Sequence, residues 1–176
     1  MERIRAFAAR CDHGVVLDVG CGAAGHVGRF VADLGARVIG VDLSARSAAL
    51  AQRLNATLRV VAADMRALPI ATGAGANIVA FYSLIYTADP SPTLAELRRV
   101  LRPGGTLLIA VHAGDGAQHY DSYKGVPVDL ELHLHVPEVL AARIRSAGFT
   151  VERAEVRPPY PFEHPTARLY VSATAR

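Results

Sequence analysis

The sequence has 176 residues, 51% of them hydrophobic and 20% charged, and a net charge of +3. These values fit one globular domain over residues 1–176, and they exclude a disordered chain and a membrane-spanning helix. The arginines are scattered rather than clustered, which makes nucleic acid an unlikely partner, and the two cysteines lack metal-binding spacing. Because the first ten residues contain no uninterrupted apolar segment, we expect no secretory signal and a cytoplasmic protein.

The first two thirds of the chain predict alternating strands and helices. A short helical stripe that includes Ile4 and Phe7 comes first, and apolar runs then predict strands at 15–19, 37–41, 58–62, 76–82 and 106–111. The amphipathic helix before the last of these strands is expected to end at Arg102-Pro103-Gly104-Gly105. Strands that are joined through helices run parallel, so the pattern predicts a parallel sheet.

The last third of the chain has a different composition and periodicity. Residues 113–127 are rich in glycine and tyrosine, and we expect a long loop there that covers a pocket. Residues 128–135 alternate apolar and polar side chains, which predicts a half-exposed strand and an insertion at about 113–135. After a helix that ends at Gly148, strands at 149–156 and 168–173 have no helix between them and should pair antiparallel.

A glycine-rich turn follows the first strand. Gly20, Gly22 and Gly25 have the spacing of the dinucleotide-binding fingerprint, and Asp42 lies 22 residues after Gly20, where a ribose-binding acid is expected. Taken alone, this spacing is a weak signal for a nicotinamide cofactor.

Acidic residues end three successive strands. Asp18, Asp42 and Asp64 should therefore meet at the edge where open α/β sheets bind ligands. A carboxylate beside the glycine turn repels a pyrophosphate and attracts a cationic nucleoside. The three acids thus favour a cationic ligand over a dinucleotide.

Four sequence motifs resemble those of a known family. They are Leu-Asp-Val-Gly-Cys-Gly from 17, Val-Ile-Gly-Val-Asp-Leu-Ser from 38, Ala-Ala-Asp-Met from 62 and Leu-Arg-Arg-Val-Leu-Arg-Pro-Gly-Gly from 97. Over residues 15–112 the chain resembles the class I S-adenosylmethionine-dependent methyltransferases, in their ubiquinone-biosynthesis-like branch. The resemblance implies a doubly wound α/β fold with helices on both faces. Its mostly parallel seven-stranded sheet would have the order 3-2-1-4-5-7-6, with strand 7 antiparallel.

The resemblance also implies that S-adenosylmethionine is the cofactor. By position, Asp42 would accept both ribose hydroxyls, Leu43 would pack on adenine and Asp64 would accept from the adenine amino group. The cofactor-binding residues implied in this way are Asp18, Gly20, Cys21, Gly22, Asp42, Leu43, Asp64, Met65, Tyr82 and Ser83.

The chain departs from the family pattern in three places. Ala24 stands where the family has its third glycine, and Gly25 follows one residue later. Only fourteen residues precede the first strand, so we expect the 113–127 loop or the second subunit of a homodimer to roof the site. Tyr86 replaces a histidine that relatives often carry after strand four, so a catalytic role there is in doubt.

Methyl transfer to O, N or C of a small molecule needs positioning, and it needs a base only where the acceptor arrives protonated. The catalytic residue is unassigned, and the candidates are His112, His119, His133, His135 and Tyr86. His133 and His135 share a strand face, but no carboxylate joins them at metal-ligand spacing, so we expect no metal. Three tyrosines could form an aromatic wall for the acceptor: Tyr120, Tyr123 and Tyr160. A nicotinamide-dependent oxidoreductase and a non-catalytic S-adenosylmethionine-binding protein are the alternative functions.

Overall fold

The computed structural model describes residues 2–11, 14–123 and 125–176. The helices in this part of the chain are α1 (Glu2–Ala9), α2 (His26–Asp33), α3 (Ala45–Leu54), α4 (Ser91–Val100) and α5 (Pro137–Ser146), with a 3-10 turn at Leu84–Tyr86. The strands are β1 (Val15–Val19), β2 (Arg37–Asp42), β3 (Arg59–Ala62), β4 (Gly75–Phe81), β5 (Leu101–Ala113), β6 (Ala117–Tyr123), β7 (Val126–His133), β8 (Phe149–Arg157) and β9 (Ala167–Ala175).

Seven of these strands form one sheet in the order β3-β2-β1-β4-β5-β9-β8. The pairs from β3 to β5 are parallel, whereas β9 is antiparallel to both β5 and β8. With β8 as the sixth strand and β9 as the seventh, this is the predicted order, and the antiparallel final strand is confirmed. No helix lies between β8 and β9 in the described chain, so the return strand cannot cross over and run parallel.

Apolar side chains cover both faces of the sheet. On one face Leu94 and Leu97 of α4 pack in the same cluster as Ile144 of α5, and on the other Phe7 of α1 packs in a cluster with Val31 of α2. All five side chains are buried. The helices thus lie on both faces, which leaves the carboxyl ends of the parallel strands as the open edge.

The prediction of a loop over 113–127 is wrong. Residues 117–123 form β6, which pairs antiparallel with β7 as a separate two-stranded hairpin. Along β6, half-buried Gln118 and Tyr120 alternate with exposed side chains, so only one face of the strand packs against the protein. The exposed face is polar and the flanking glycines are typical of turns, which explains why this strand has the composition of a loop.

The fifth strand begins earlier than predicted, at Leu101 rather than 106. Leu101 pairs with Gly75, and the next pair is Thr106 with Asn77, so the residues between Leu101 and Thr106 bulge out of the ladder. Helix α4 therefore ends at Val100, and the Arg-Pro-Gly-Gly segment, residues 102–105, is a bulge within strand β5.

The turn after β1 is fixed by backbone hydrogen bonds. The N–H groups of Gly20 and Cys21 both donate to the carbonyl of Val41, at 2.7 and 3.0 Å. Gly20 has a φ of 76°, and a Cβ built on it would lie 2.2 Å from the Cβ of Ser83. Both the conformation and the space therefore require glycine.

Gly25, and not Ala24, has the left-handed conformation in this turn. It precedes α2 with a φ of 56°, whereas Tyr82 is the one non-glycine among the described residues with a positive φ. Ala24 thus needs no left-handed conformation, and alanine is tolerated there.

The hydrogen-bond partner of the Asp18 side chain lies inside the fold. Its side chain is buried, and its Oδ2 accepts from the N–H of Gly28, in the first turn of α2, at 2.8 Å. Burial raises the pKa of Asp18 to about 7, against the lowering effect of the Gly28 hydrogen bond and with a smaller raising effect of Asp42. The acid that ends β1 therefore holds the start of a helix.

Gly20→Ala and Gly22→Ala form a matched pair of variants. Both glycines have a positive φ, 76° and 64°, which disfavours alanine by about 1–2 kcal/mol at either place. At Gly20 the new Cβ also meets Ser83, whereas no described atom lies within 4 Å at Gly22. We expect the Gly20 variant to lose about 1–3 kcal/mol more free energy of unfolding, measured by urea denaturation. Equal losses in the two variants would contradict the close packing of Gly20 on Ser83.

Asp18→Asn removes the titration of this carboxyl at nearly constant size. The folded protein keeps the Asp18 proton up to a pH of about 7, whereas the unfolded chain releases it near its ordinary pKa of 3.8. The Asp18 contribution to stability therefore falls as pH rises through this window, by up to about 1.4 kcal/mol per pH unit. Denaturation at several pH values should show the variant gaining stability relative to the wild type as pH rises. A constant difference across the window would count against the raised pKa.

Candidate functional site

A cavity of about 480 Å³ opens at the carboxyl ends of the central parallel strands. It contains nine of the ten residues implied to bind the cofactor: Asp18, Gly20, Cys21, Gly22, Asp42, Leu43, Met65, Tyr82 and Ser83. Five further residues line it: His26, Val27, Ser47, Phe81 and Tyr86. Of these, Tyr86 was a catalytic candidate and His26 was expected at the helix start near the cofactor, whereas Val27, Ser47 and Phe81 were not assigned from the sequence. The structure thus brings together residues from the ends of β1, β2 and β4.

Asp42 is held by the backbone on both sides. Its Oδ2 accepts from the N–H of Gly22 at 2.8 Å, and its Oδ1 accepts from the N–H of Ser44 at 3.0 Å. A carboxylate has about four acceptor positions, so this one keeps lone pairs for donors in the cavity. Leu43, beside it, is 71% exposed, which leaves a large apolar surface at the cavity mouth.

Asp64 is the residue that the structure does not bring to the cavity. Its carboxylate receives hydrogen bonds from Nε and Nη2 of Arg66 and from the Arg66 backbone N–H. The side-chain hydrogen bonds of Arg66 are the main cause that lowers the pKa of Asp64. The neighbouring Met65 lines the cavity.

The end of β4 carries two unusual features. Tyr82 has a φ of 57°, a left-handed conformation that is strained for a tyrosine. The Oγ of Ser83 is buried and has no hydrogen-bond partner among the described residues. A buried hydroxyl without a partner is rare in folded proteins, which singles out this segment as a candidate ligand contact.

Cys21 is buried in the same wall. Burial raises the pKa of its thiol to about 12, with smaller contributions from Asp18 and Asp42. The thiol therefore stays protonated and is not a nucleophile.

A second cavity, of about 350 Å³, lies between the hairpin and the sheet. Tyr86 borders both cavities. Alternate residues of β7 supply an apolar wall, and aromatic and histidine side chains supply the rest. The described lining consists of Ile85, Tyr86, His112, Tyr120, Tyr123, Val128, Leu130, Leu132 and His164.

His112 is the one predicted histidine that lines this cavity. Its Nδ1 lies 2.7 Å from the Oγ1 of Thr166 and 3.0 Å from Nη1 of Arg168. Burial, together with the charge of Arg168 and the neighbouring His164, lowers the pKa of His112 to about 4. The imidazole is therefore neutral near pH 7.

The other candidate histidines lie elsewhere. His119 is exposed beside Asp121, His133 contacts Glu131, and the Nε2 of buried His135 lies 3.2 Å from the carbonyl oxygen of Leu84. None of these three is among the described lining of the two cavities. In the part of the chain that the structure describes, no three His, Cys, Asp or Glu side chains cluster as metal ligands.

Sequence analysis missed His164. Its Nε2 lies 2.5 Å from the hydroxyl oxygen of Tyr120, and both side chains line the second cavity. Tyr123 lines it as well, whereas Tyr160 stacks on Phe162 outside it. His164 belongs to a proline-rich connection between β8 and β9, and no sequence signal placed that connection against the hairpin.

Comparisons with known proteins identify the family. Residues 17–109, more than half of the chain, match the family described as a methyltransferase domain. A malonyl-[acyl-carrier protein] O-methyltransferase of Enterobacter lignolyticus is 36% identical over 100 residues, which cover 57% of this chain and 39% of that protein. The chain therefore spans well under two thirds of such curated relatives.

Solved structures share the fold over almost the whole chain. A S-adenosylmethionine-dependent methyltransferase of Methanosarcina mazei has a TM-score of 0.81 at 17% identity, with 92% of each chain covered. The 1,6-didemethyltoxoflavin-N1-methyltransferase of Burkholderia thailandensis, solved with its substrate and S-adenosylhomocysteine, has a TM-score of 0.74 at 26% identity. That match covers 98% of this chain and 77% of the other.

None of the described helices is long and apolar enough to cross a membrane. The matched residues include β1, its glycine turn and the strand ends that form the first cavity. The chain belongs to the methyltransferase-domain family, within the class I S-adenosylmethionine-dependent methyltransferases.

Proposed function

We propose that this chain transfers a methyl group from S-adenosylmethionine to a small-molecule acceptor. The observation that carries the proposal is the pair of adjoining cavities that meet at Tyr86. One has the acids and backbone of a nucleoside site, and the other is largely apolar and aromatic, as small-molecule sites are.

The first cavity fits the cofactor in its chemistry. Under this proposal Asp42 accepts from the ribose hydroxyls, Leu43 packs on the adenine and the backbone of Met65 reads the ring edge. The unpartnered Oγ of Ser83, beside Tyr82, bonds the methionine end. Asp64 would reach the adenine amino group only by turning away from Arg66, so we expect its contribution to binding to be smaller than that of Asp42.

S-adenosylmethionine, when bound, supplies a methyl carbon on a positively charged sulfur, which a lone pair of the acceptor can attack directly. The chain itself needs no nucleophile, and its task is to align the two molecules and exclude water. Tyr86 lies where the cavities join, so it is placed to orient the reacting groups. This alignment serves an acceptor atom that is O, N or C.

Two other functions use the same first cavity. A nicotinamide-dependent oxidoreductase also needs an acid such as Asp42 at the ribose, and a non-catalytic protein could bind S-adenosylmethionine without transferring the methyl group. The second cavity favours an enzyme, because a pure binder needs no acceptor site next to the cofactor. A cytoplasmic location and a homodimer stay predictions, which cell fractionation and light scattering test.

Asp42→Ala should weaken cofactor binding. Hydrogen bonds to a charged group contribute about 1.5–3 kcal/mol each, so we expect a loss of about 10- to 100-fold in affinity for S-adenosylhomocysteine. Titration calorimetry measures this, with Asp129→Ala as the matched control because the Asp129 side chain is 95% exposed on the hairpin. Unchanged affinity in Asp42→Ala, or tighter binding of NADH than of S-adenosylhomocysteine by the wild type, would contradict the proposal.

Incubation with methyl-labelled S-adenosylmethionine and a metabolite extract tests transfer itself. We expect label in a small-molecule product with the wild type and a strong reduction with Asp42→Ala. Stoichiometric cofactor binding without any labelled product would favour the non-catalytic alternative.

A further inference from the structure

The wall behind the second cavity holds an excess of positive charge. Arg168 is 4% exposed, and its nearest carboxylate, that of Glu163, lies 3.9 Å away. Glu163 is already engaged by Arg157 through two hydrogen bonds of 2.7 Å. Two guanidinium groups thus share one carboxylate, although buried charges are normally matched.

The other neighbours of Arg168 are neutral. Its Nη1 donates to the carbonyl and the hydroxyl of Thr166, at 2.6 and 2.8 Å, and its guanidinium lies 5.7 Å from the centre of the Tyr82 ring. The remaining contact is the one to Nδ1 of His112. None of these groups cancels the charge of Arg168.

The position of Arg168 favours one tautomer of His112. The two N–H bonds of Nη1 are directed at Thr166, and this cationic, donor-only nitrogen lies 3.0 Å from Nδ1 of His112, so a lone pair on Nδ1 is attracted to it and a proton there is repelled. The arrangement therefore favours the neutral imidazole with its proton on Nε2. Among the described residues no partner contacts Nε2, which leaves its N–H available to a molecule in the cavity that His112 lines.

The described lining of the second cavity contains no carboxylate. Val128, Leu130 and Leu132 of β7 face it, whereas Asp129 and Glu131, which alternate with them, are exposed. The described lining is thus apolar or neutral, and the charge of Arg168 lies directly behind it, in contact with His112. This combination suits a negative group on an apolar skeleton.

We propose that the methyl acceptor binds in the second cavity as an oxyanion, an ionised carboxyl, phenol or enol on an apolar skeleton. Its oxygen accepts a hydrogen bond from Nε2 of His112, and Arg168 supplies the counter-charge through the same ring. This inference rests on the proposed methyltransferase function and names its class of acceptor.

The proposal assigns His112 as a hydrogen-bond donor and Arg168 as a positioning residue. In the transfer, a lone pair of the acceptor oxygen forms the bond to the methyl carbon, and the pair of the broken carbon–sulfur bond stays on sulfur. No proton is released, because the oxygen is already ionised, and the charges of the anion and the sulfonium cancel. A general base is therefore unnecessary, which agrees with a histidine whose free nitrogen already carries its proton.

The test uses 4-nitrophenol, whose yellow anion is distinguished from its neutral form by absorbance. The absorbance of 4-nitrophenol is followed as a function of pH in the presence of the wild-type protein saturated with S-adenosylhomocysteine. In a second experiment, calorimetry compares the affinity for benzoate with the affinity for benzamide. We expect the anion to bind at least about tenfold more tightly than the neutral form, which lowers the pKa of bound nitrophenol by at least about one unit.

Several titratable and charged groups surround the probe. Burial and Arg168 lower the pKa of His164, as they do for His112, and burial raises the pKa of Tyr86. The charged groups behind the wall are Arg157, Glu163 and Arg168, with the Glu163 pKa held at about 2 by Arg157. In the adjoining first cavity the pKa of Asp18 is raised to about 7, so this carboxyl titrates together with the nitrophenol. The comparison of benzoate with benzamide at one fixed pH reports the fixed charge without this titration.

Variants separate the two assigned roles. His112→Phe and Arg168→Gln should each abolish the preference for the anion, whereas Arg168→Lys should keep part of it. Arg29→Gln is the matched control, because Arg29 is exposed on α2. If Arg168→Gln fails to fold, His112→Phe still tests the inference.

Two results would overturn the inference. One is a wild type that binds the neutral probes as tightly as the anions or binds neither, and the other is a His112→Phe variant that keeps the preference. Calorimetry with S-adenosylhomocysteine on the same samples reports separately on the proposed function, so the failure of one is distinguished from the failure of the other.

Discussion

The hydrogen bond between the buried carboxyl of Asp18 and the N–H of Gly28 is the contact on which the cofactor cavity depends. It fixes where helix α2 begins relative to β1. It requires glycine at 28, because a Cβ there would lie 2.8 Å from the Asp18 oxygen. Between β1 and α2, the N–H groups of Gly20 and Cys21 donate to the carbonyl of Val41, and the N–H of Gly22 donates to the carboxylate of Asp42. The walls of the cavity are thus built from the chain itself, and a ligand meets a site that is already formed.

The sequence was sufficient for the sheet and for most of the residues that line the first cavity. Parallel pairing follows from the alternation of strands and helices, and the strand order follows from the family resemblance. Residues at the carboxyl ends of parallel strands then meet at one edge of the sheet. Side-chain partners were less predictable. Asp64 was assigned to the cavity by its strand position, but Arg66, two residues later, engages it locally. Asp18 was interpreted as facing the ligand, and it lines the first cavity, but its strand position did not indicate that Oδ2 also accepts a hydrogen bond from the start of helix α2.

The second cavity was harder to foresee because it is assembled from distant segments. His112 ends β5, Tyr120 lies on a strand whose exposed face makes it resemble a loop, and His164 comes from the connection between β8 and β9. Their contact depends on how the hairpin lies against the sheet. Neither hydrophobic periodicity nor motif spacing contains that information. The polar network behind His112 is likewise a tertiary feature, since Arg168 meets it only through antiparallel pairing of β5 and β9.

The β6–β7 hairpin forms a sheet of its own and meets the main chain of the larger sheet through a bridge between Ala113 and His135. A two-stranded hairpin is marginally stable by itself, and this one packs on the main core cluster through Leu132 of β7. Three residues of β7 line the second cavity, and none is in the described lining of the first. Under the proposed function, exchanging Val128, Leu130 and Leu132 is therefore the direct way to change acceptor choice without altering the residues assigned to the cofactor.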